Sequence, residues 1–261
     1  MSIFELVNEL DIQKEYNKFN FELSEGFIYY ESNMISFFEY LDRSGNFRGW
    51  KERNTCLTVF EYLHFLGVRI DGEFKDTVSL EQFLYYMEFL INIFFITIRQ
   101  LDVEERKIIV SLIENINLIL DKLGYKTDNK ASSNRITVNR KDSDLDSIVD
   151  EIDIDLSALL ISYNDFRIEK DISKKHSILK KIDLYIEEYK KVLKEKDSAT
   201  YDVIQKIVNN FGINHPIKSD EIKAKDEKGI LTAYDDCYKL MIHLIRSVEY
   251  STLKDKYSGQ V

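Results

Sequence analysis

A single proline, Pro216, among 261 residues is the feature that most restricts how this chain can fold. The chain also contains only nine glycines. All-β proteins need frequent turns, and turns depend heavily on Gly and Pro. Long helices joined by few connections need neither residue. The sequence therefore predicts an all-α fold, a multi-helix bundle of about eight helices.

Capping signals place the central helices of this predicted bundle. Ser79 with Gln82, and Asp102 with Glu105, have the spacing of a capping box, in which two side chains satisfy backbone amides at a helix start. Apolar residues then recur at spacings of three and four, the period of an amphipathic helix. The two predicted helices span 80–99 and 103–123, with Ile108 among the apolar positions of the second and Gly124 as its stop.

Other helix boundaries rest on weaker signals. Ser24 is a weak cap before a helix predicted over 27–41. In the second half, the apolar spacing predicts helices over 172–194, over 199–211 with Ser198 as its cap, and over 231–253.

Residues 125–144 interrupt the helical pattern. A polar stretch leads into 135–139, where β-branched side chains alternate with polar ones. This alternation predicts one small antiparallel hairpin near 125–139, while a flexible linker is the alternative interpretation. The predicted organisation is an N-terminal helical subdomain over 1–124, a connector over 125–144 and a C-terminal helical subdomain over 145–261. The two subdomains either stay separate or pack as a single domain.

The composition limits the cellular compartment and the binding partners that we expect for this protein. The net charge is −10, the opposite sign from a protein that binds nucleic acids mainly through their phosphates. Cys56 and Cys237 are the only cysteines, too few for a disulfide framework and compatible with a reducing compartment. The most apolar stretch, 83–98, contains Glu88 and Asn92 and is too short to span a bilayer. The N-terminus has no basic region of the secretory kind. We expect a soluble, cytoplasmic protein without a membrane partner.

No complete catalytic motif is present. The chain has no glycine-rich phosphate loop and no nucleophile elbow, and its four histidines lack the spacing of a metal site. His64 lies among aromatic residues typical of a core or boundary position, and His176 opens a charged helix. We predict no metal and no cofactor.

The only tryptophan lies among cations. Arg48, Lys51 and Arg53 surround Trp50, and an aromatic ring among basic side chains is a platform on which a nucleobase can stack. The alternative interpretation is that Trp50 packs onto the core while the cations remain in water. The first interpretation predicts a nucleic-acid-binding site at these four residues.

A second candidate site lies at the turn that contains Asn214 and His215. A histidine beside an amide at a helix end can act as a general acid or base, because imidazole titrates near neutrality. His243 and Arg246, one helical turn apart on the last predicted helix, are possible additions to this catalytic site. The alternative is a helix C-cap, in which Asn214 and His215 only satisfy backbone groups.

Five segments carry a resemblance to a known family. They are 136–141 (ITVNRK) after a helix ending in 123–125 (LGY), 159–166 (LLISYNDF), 175–180 (KHSILK), 209–216 (NNFGINHP) and 234–241 (YDDCYKLM). In their order, residues 120–261 resemble the helical proteins of the abortive-infection and HEPN type, which occur in Gram-positive bacteria and their mobile elements. The resemblance implies a helical bundle that often forms homodimers and cleaves RNA at the dimer interface with an arginine and a following histidine.

The arginine of that motif is missing here. No arginine lies four to six residues before His215, and the nearest preceding base is Lys206, which lacks the planar fork that grips phosphate. The first hypothesis is therefore a non-catalytic, self-associating interaction module of a bacterial or prophage defence-type system, with a homodimer or another protein as its partner. The alternatives are a metal-independent ribonuclease that uses His215, and a non-catalytic nucleic-acid binder with RNA as a possible partner.

Overall fold

A computed structural model describes residues 10–67, 77–130, 135–213 and 226–258, and the chain divides into two compact units. The units are Met1–Val138 and Asn139–Val261. The boundary falls inside the predicted connector 125–144. Within the described residues the fold is mostly helical, as predicted, and no helix there is both long and apolar enough to cross a bilayer.

The first unit contains six α-helices and two hairpins among its described residues. Short 3-10 turns at Lys51–Arg53 and Ile98–Gln100 connect some of them. In chain order the elements are α1 (Ile12–Ser24), β1 (Gly26–Tyr30), β2 (Asn33–Ser36), α2 (Phe37–Arg43), α3 (Asn46–Gly49), α4 (Val59–Phe65), α5 (Leu80–Thr97), α6 (Val103–Lys122), β3 (Tyr125–Lys130) and β4 (Arg135–Arg140), the last of which crosses the unit boundary.

Helix α5 forms the centre of the first unit, as its nearly all-round apolar sequence predicts. Its N-terminus carries the predicted capping box: Ser79 Oγ accepts from the Gln82 amide at 3.2 Å, and Gln82 Oε1 accepts from the Ser79 amide at 3.0 Å. Helix α6 begins with the second predicted box, and Gly124 ends it at φ +81°, a left-handed conformation that favours glycine.

The segment 27–41 is not one helix, so this prediction is wrong. Residues 26–36 form the antiparallel hairpin β1–β2, and Ser36 instead caps the short α2, its Oγ accepting from the Glu39 amide at 3.2 Å. The two-residue turn places Glu31 and Ser32 at φ 48° and 70°. A turn of this kind normally contains Asn-Gly or Asp-Gly. Neither dipeptide occurs in this turn, so the hairpin has no turn signal in the sequence.

The hairpin predicted near 125–139 is confirmed as β3–β4. It packs on α5 through the polar side chains of Glu88 and Asn92. Asn92 Nδ2 donates to Ile136 O at 2.7 Å and Asn92 Oδ1 accepts from the Ile136 amide at 3.0 Å. Glu88 accepts from Arg135 at 2.6 Å and from the Val138 amide at 3.0 Å. These contacts give the hairpin the support that two strands in water lack.

The second unit has five α-helices among its described residues, so the described chain has eleven helices and two hairpins where about eight helices and one hairpin were expected. Its core joins apolar side chains of α8 to α11. The helices are α7 (Ser143–Asp146), α8 (Ile154–Tyr163), α9 (Ile172–Glu188), α10 (Lys190–Asn210) and α11 (Glu227–Ser258).

The boundary between α9 and α10 corrects two predictions. The helix predicted over 172–194 ends at Glu188, and α10 begins at Lys190 and kinks at Asp197 (φ −148°, ψ 81°). Asp197, not Ser198, caps the segment that follows, because its Oδ1 accepts from the Thr200 amide at 2.9 Å. Both residues have side chains that suit a cap, and the apolar spacing alone does not choose between them.

Candidate functional site

A groove of about 700 Å³ lies between α1 and α6 in the first unit, and we call it the α1/α6 groove. Helix α1 contributes residues at helical spacings of three and four, which therefore lie on one face. The lining residues are Leu10, Glu15, Lys18, Phe19 and Glu22 on one side, and Lys107, Ile108, Ser111, Leu112, Asn115, Leu118, Ile119 and Lys122 on the other.

Capping contacts hold both walls of the groove at their starts. Asp11 caps α1 by accepting from the Lys14 amide at 3.0 Å. In α6, Asp102 Oδ1 accepts from the Glu105 amide at 2.9 Å, and Glu105 Oε2 accepts from the Asp102 amide at 3.0 Å. Glu105 Oε1 also accepts from the Tyr29 amide at 2.7 Å, which ties the start of α6 to β1. Apart from Leu10, which precedes α1, the groove is thus lined by two capped helices.

The groove has an apolar floor, and its α6 wall carries a ridge in which the apolar Ile108 and Leu118 flank the polar Ser111 and Asn115. Phe19, Leu112 and Ile119 are buried at its base. On α6, Ile108 and Leu118 remain 39% and 60% exposed. A single exposed apolar side chain is ordinary on a protein surface. Two of them on one face, beside a groove with an apolar floor, are typical of an interaction surface.

Two ion pairs stand at the rim of the groove. Lys18 contacts Glu15 at 2.7 Å, and Lys107 contacts Glu104 at 2.7 Å. A small-molecule pocket normally aims a few polar groups inward to orient its ligand. Paired charges along the edges of an apolar channel instead suit an amphipathic helix, whose apolar face lies in the channel while its polar face stays in water.

Trp50 packs in the core and does not offer a stacking platform. The residue is 8% exposed. Its ring centroid lies 5.0 Å from that of Tyr62 and 5.5 Å from that of Phe89. The packing interpretation of Trp50 therefore describes the structure, and a nucleobase has no free face of this ring to stack on.

The cations around Trp50 do not converge on one site. Arg53 donates to Arg48 O at 3.0 Å and to Cys56 O at 2.5 Å, so its guanidinium supports the loop between α3 and α4. Arg48 and Lys51 are exposed. Without the ring, these two cations lack the aromatic partner that the nucleic-acid prediction required.

The predicted catalytic residues are only partly within the described chain. Asn214 and His215 lie outside the described residues. His243 and Arg246 are on α11 and face different carboxylates: His243 Nε2 is 3.9 Å from Asp197, and Arg246 is 3.0 Å from Asp144.

His176 lies near the end of α10. It is half-buried, and its Nε2 is 3.1 Å from Gly212 O, just before the predicted catalytic turn. A histidine at the start of a charged helix is predicted to lie on the surface, so the half-buried position differs from the prediction. Its contact with a backbone carbonyl is a structural role, and it does not by itself form a catalytic pair.

A buried ion pair in the second unit is a third cluster of chemically active groups. Lys175, 1% exposed, contacts Asp235 Oδ1 at 2.6 Å, and its Nζ lies 4.9 Å from the centre of the Tyr163 ring. Tyr163 also donates to Asp235 Oδ1, at 3.0 Å. Burial, and then the Asp235 charge, raise the pKa of Tyr163 far above its ordinary value, so the phenol stays protonated.

The space beside this cluster is too small for a substrate. A cavity of about 10 Å³ adjoins Lys175, Asn164 and Arg140, and such a cavity holds one water molecule at most. Asn164 Oδ1 is buried and has no hydrogen-bond partner among the described residues, so a single water is the occupant that fits. The cluster therefore lacks the access that a substrate needs.

Comparison with known proteins assigns neither a family nor a function to this chain. No protein-family model matches the chain, and neither curated proteins nor solved structures give a match. Within the described residues, no group of three His, Cys, Asp or Glu side chains is placed to hold a metal ion.

The groove was missed by sequence reasoning, although a signal for it exists. The sequence predicts Ile108 as one of the apolar positions of α6 and makes no prediction for Leu118. The α6 residues of the groove include a second series, Ile108, Ser111, Asn115, Leu118 and Lys122, at spacings of three and four beside the buried one. The signal in this series is its two apolar members, Ile108 and Leu118, because exposed apolar side chains on a second face of a helix suggest a partner-facing side.

Proposed function

We propose that this protein is a non-catalytic interaction module that binds an amphipathic helix in the α1/α6 groove. The observation that carries the proposal is the exposed ridge formed by Ile108 and Leu118, next to a floor of buried apolar side chains. A helix that covers this ridge removes apolar surface from water, at about 25 cal/mol per Å². From Lys107 to Lys122 the lining follows α6 for about 22 Å, enough for four turns of a bound helix.

The alternatives have less support from the described residues. The ribonuclease hypothesis depends on His215, which lies outside the described residues. The nucleic-acid hypothesis needs the Trp50 ring, which is buried. The defence-type setting follows only from the sequence resemblance and stays a prediction.

A displayed library of amphipathic helices tests the proposed function. The library is selected against the wild-type protein, and the enriched peptides are then measured against Leu118→Glu. A carboxylate on the ridge has to be desolvated by the incoming helix, so we expect the peptides to lose at least tenfold in affinity. Leu184→Glu is the matched control, because Leu184 is also 60% exposed but lies on α9 in the other unit.

The two variants distinguish binding in the groove from nonspecific binding. Peptides that bind through the α1/α6 groove retain their affinity for Leu184→Glu and lose it for Leu118→Glu. Equal binding to both variants, or no enrichment at all, would contradict the proposed function.

A further inference from the structure

Six exposed residues of α6 form one stripe along the wall of the α1/α6 groove. They alternate at spacings of four and three residues, which keeps them on one face of the helix. We call them the α6 stripe: Glu104, Ile108, Ser111, Asn115, Leu118 and Lys122. All six are exposed, and all except Glu104 line the groove.

The α6 stripe is self-complementary when read in opposite directions. Its members form three pairs that are equidistant from Ile113 along the helix. Each pair matches in chemistry: an acid with a base, two branched apolar residues, and two small polar residues. The pairs are Glu104 with Lys122, Ile108 with Leu118, and Ser111 with Asn115.

We infer that the helix bound in the α1/α6 groove is α6 of a second copy of this chain, packed antiparallel. The inference rests on the proposed function and names its partner. A twofold axis that crosses the stripe at the level of Ile113 along the helix places Ile108 of one copy against Leu118 of the other, and Glu104 of one copy against Lys122 of the other. The same surface then serves both copies, which is the geometry of an isologous dimer.

Charge selects the antiparallel direction. A parallel pair in register would set Glu104 against Glu104 and Lys122 against Lys122, and like charges face each other unfavourably. The antiparallel pair sets opposite charges together at both ends. Glu104 already contacts Lys107 of its own helix at 2.7 Å, but both side chains are exposed, and such a pair exchanges partners at little cost.

The centre of the α6 stripe limits the affinity. Ser111 and Asn115 make the two middle layers polar, and polar residues in a helix seam fix its register at a cost in stability. The stripe is about 27 Å long by helix geometry, which is short for a permanent interface. The dimer is therefore a weak one, formed at concentrations on the order of micromolar.

Charge reversal in two separate variants tests this arrangement. Sedimentation equilibrium of the full chain over a wide concentration range gives the dimer dissociation constant. Glu104→Lys and Lys122→Glu each create two like-charge contacts in their own homodimer, so each dissociates about tenfold more readily than wild type. Mixing the two variants restores both contacts, because Lys at 104 of one copy meets Glu at 122 of the other. The mixture therefore dimerises like wild type.

Controls separate this inference from the proposed function. Glu195→Lys reverses an exposed charge on α10, in the other unit, and leaves the dissociation constant unchanged. Glu104→Gln and Lys122→Gln are milder variants, whose smaller effects decide the question if a reversal disturbs folding, as monitored by circular dichroism.

Two results would overturn the inference. A wild-type protein that stays monomeric at all concentrations removes the second copy as the partner, while groove-dependent peptide binding still supports the proposed function. A dimer that the reversals do not weaken, or that mixing does not restore, places its interface elsewhere.

Discussion

Lys175 and Asp235 form an ion pair whose two partners differ in their access to water. The lysine side chain is 1% exposed and the aspartate side chain 28%. Asp235→Ala leaves a buried ammonium without a counter-charge, and we expect a loss of about 3–5 kcal/mol in unfolding free energy. Lys175→Met should cost less than about 2 kcal/mol, because the Asp235 carboxylate reaches solvent and keeps its bond from Tyr163. Urea unfolding of both variants measures the difference, and equal losses would contradict it.

The two cysteines should differ in reactivity. Both are free, Cys56 partly exposed and Cys237 buried. Burial, with a smaller contribution from the Asp183 charge, raises the pKa of Cys237 to about 12. At pH 8 only roughly one Cys237 in ten thousand is then the reactive thiolate. We expect a thiol reagent to modify one cysteine in the native protein and two in denaturant. A Cys56→Ser variant should show no fast reaction, and one that does would contradict this assignment.

Single residues also mark the limit of what the sequence could predict. Core packing was one of the two interpretations of Trp50, but only the positions of Tyr62 and Phe89 decide between them. Likewise, the sequence identifies Ile108 and Leu118 as apolar residues of a helix. Whether these side chains face a groove or a neighbouring helix depends on how α1 packs against α6, and α1 is distant in the chain. Apolar spacing specifies the faces of a helix, and tertiary packing decides which face is covered.

Among the elements, α5 uses its polar residues to hold a hairpin. Asn92 bonds both the carbonyl and the amide of Ile136, much as a neighbouring strand would. Asn92→Ala leaves two backbone groups without partners, and we expect a loss of about 2–4 kcal/mol in unfolding free energy. Hydrogen exchange at the Ile136 amide should accelerate in the same variant. Glu81→Gln, an exposed change on α5, should stay within about 0.5 kcal/mol. A similar loss in both variants would show that the hairpin contact is not responsible.

Element prediction succeeded where a local interaction decides the structure. The capping boxes at Ser79 and Asp102 involve residues close in sequence, so their spacing is visible in the chain itself. The β1–β2 hairpin depends on a turn without glycine and on the contact from Tyr29 to Glu105. That contact joins distant parts of the chain, and aromatic residues within 27–41 suit a helix face or a strand equally well.

At the scale of the whole molecule, the resemblance and the α1/α6 groove concern different units. The resembling segments lie mainly in 120–261, whereas the groove belongs to Met1–Val138. A dimer built as the resemblance implies would depend on residues near His215. A dimer built on the α6 stripe depends on Ile108 and Leu118. The resemblance and the α6 stripe both predict self-association, but through different surfaces.

Asn115 gives the sharpest test at this scale, since it occupies the polar middle of the α6 stripe. In the antiparallel dimer the twofold axis repeats each layer, so one substitution changes two contacts. Asn115→Leu sets an apolar side chain against Ser111 of the other copy in both middle layers and no longer buries two amides, so we expect at least tenfold tighter dimerisation by sedimentation equilibrium. Asn115 is exposed, so the fold of the single chain should be unaffected. Asn117→Leu makes the same change at an exposed α6 position outside the stripe and is the control. Because it also removes the 3.1 Å hydrogen bond between Asn117 and Thr127, circular dichroism checks that this variant is folded. Tightening by both variants would indicate nonspecific association, and tightening by neither would show that α6 does not face its own copy.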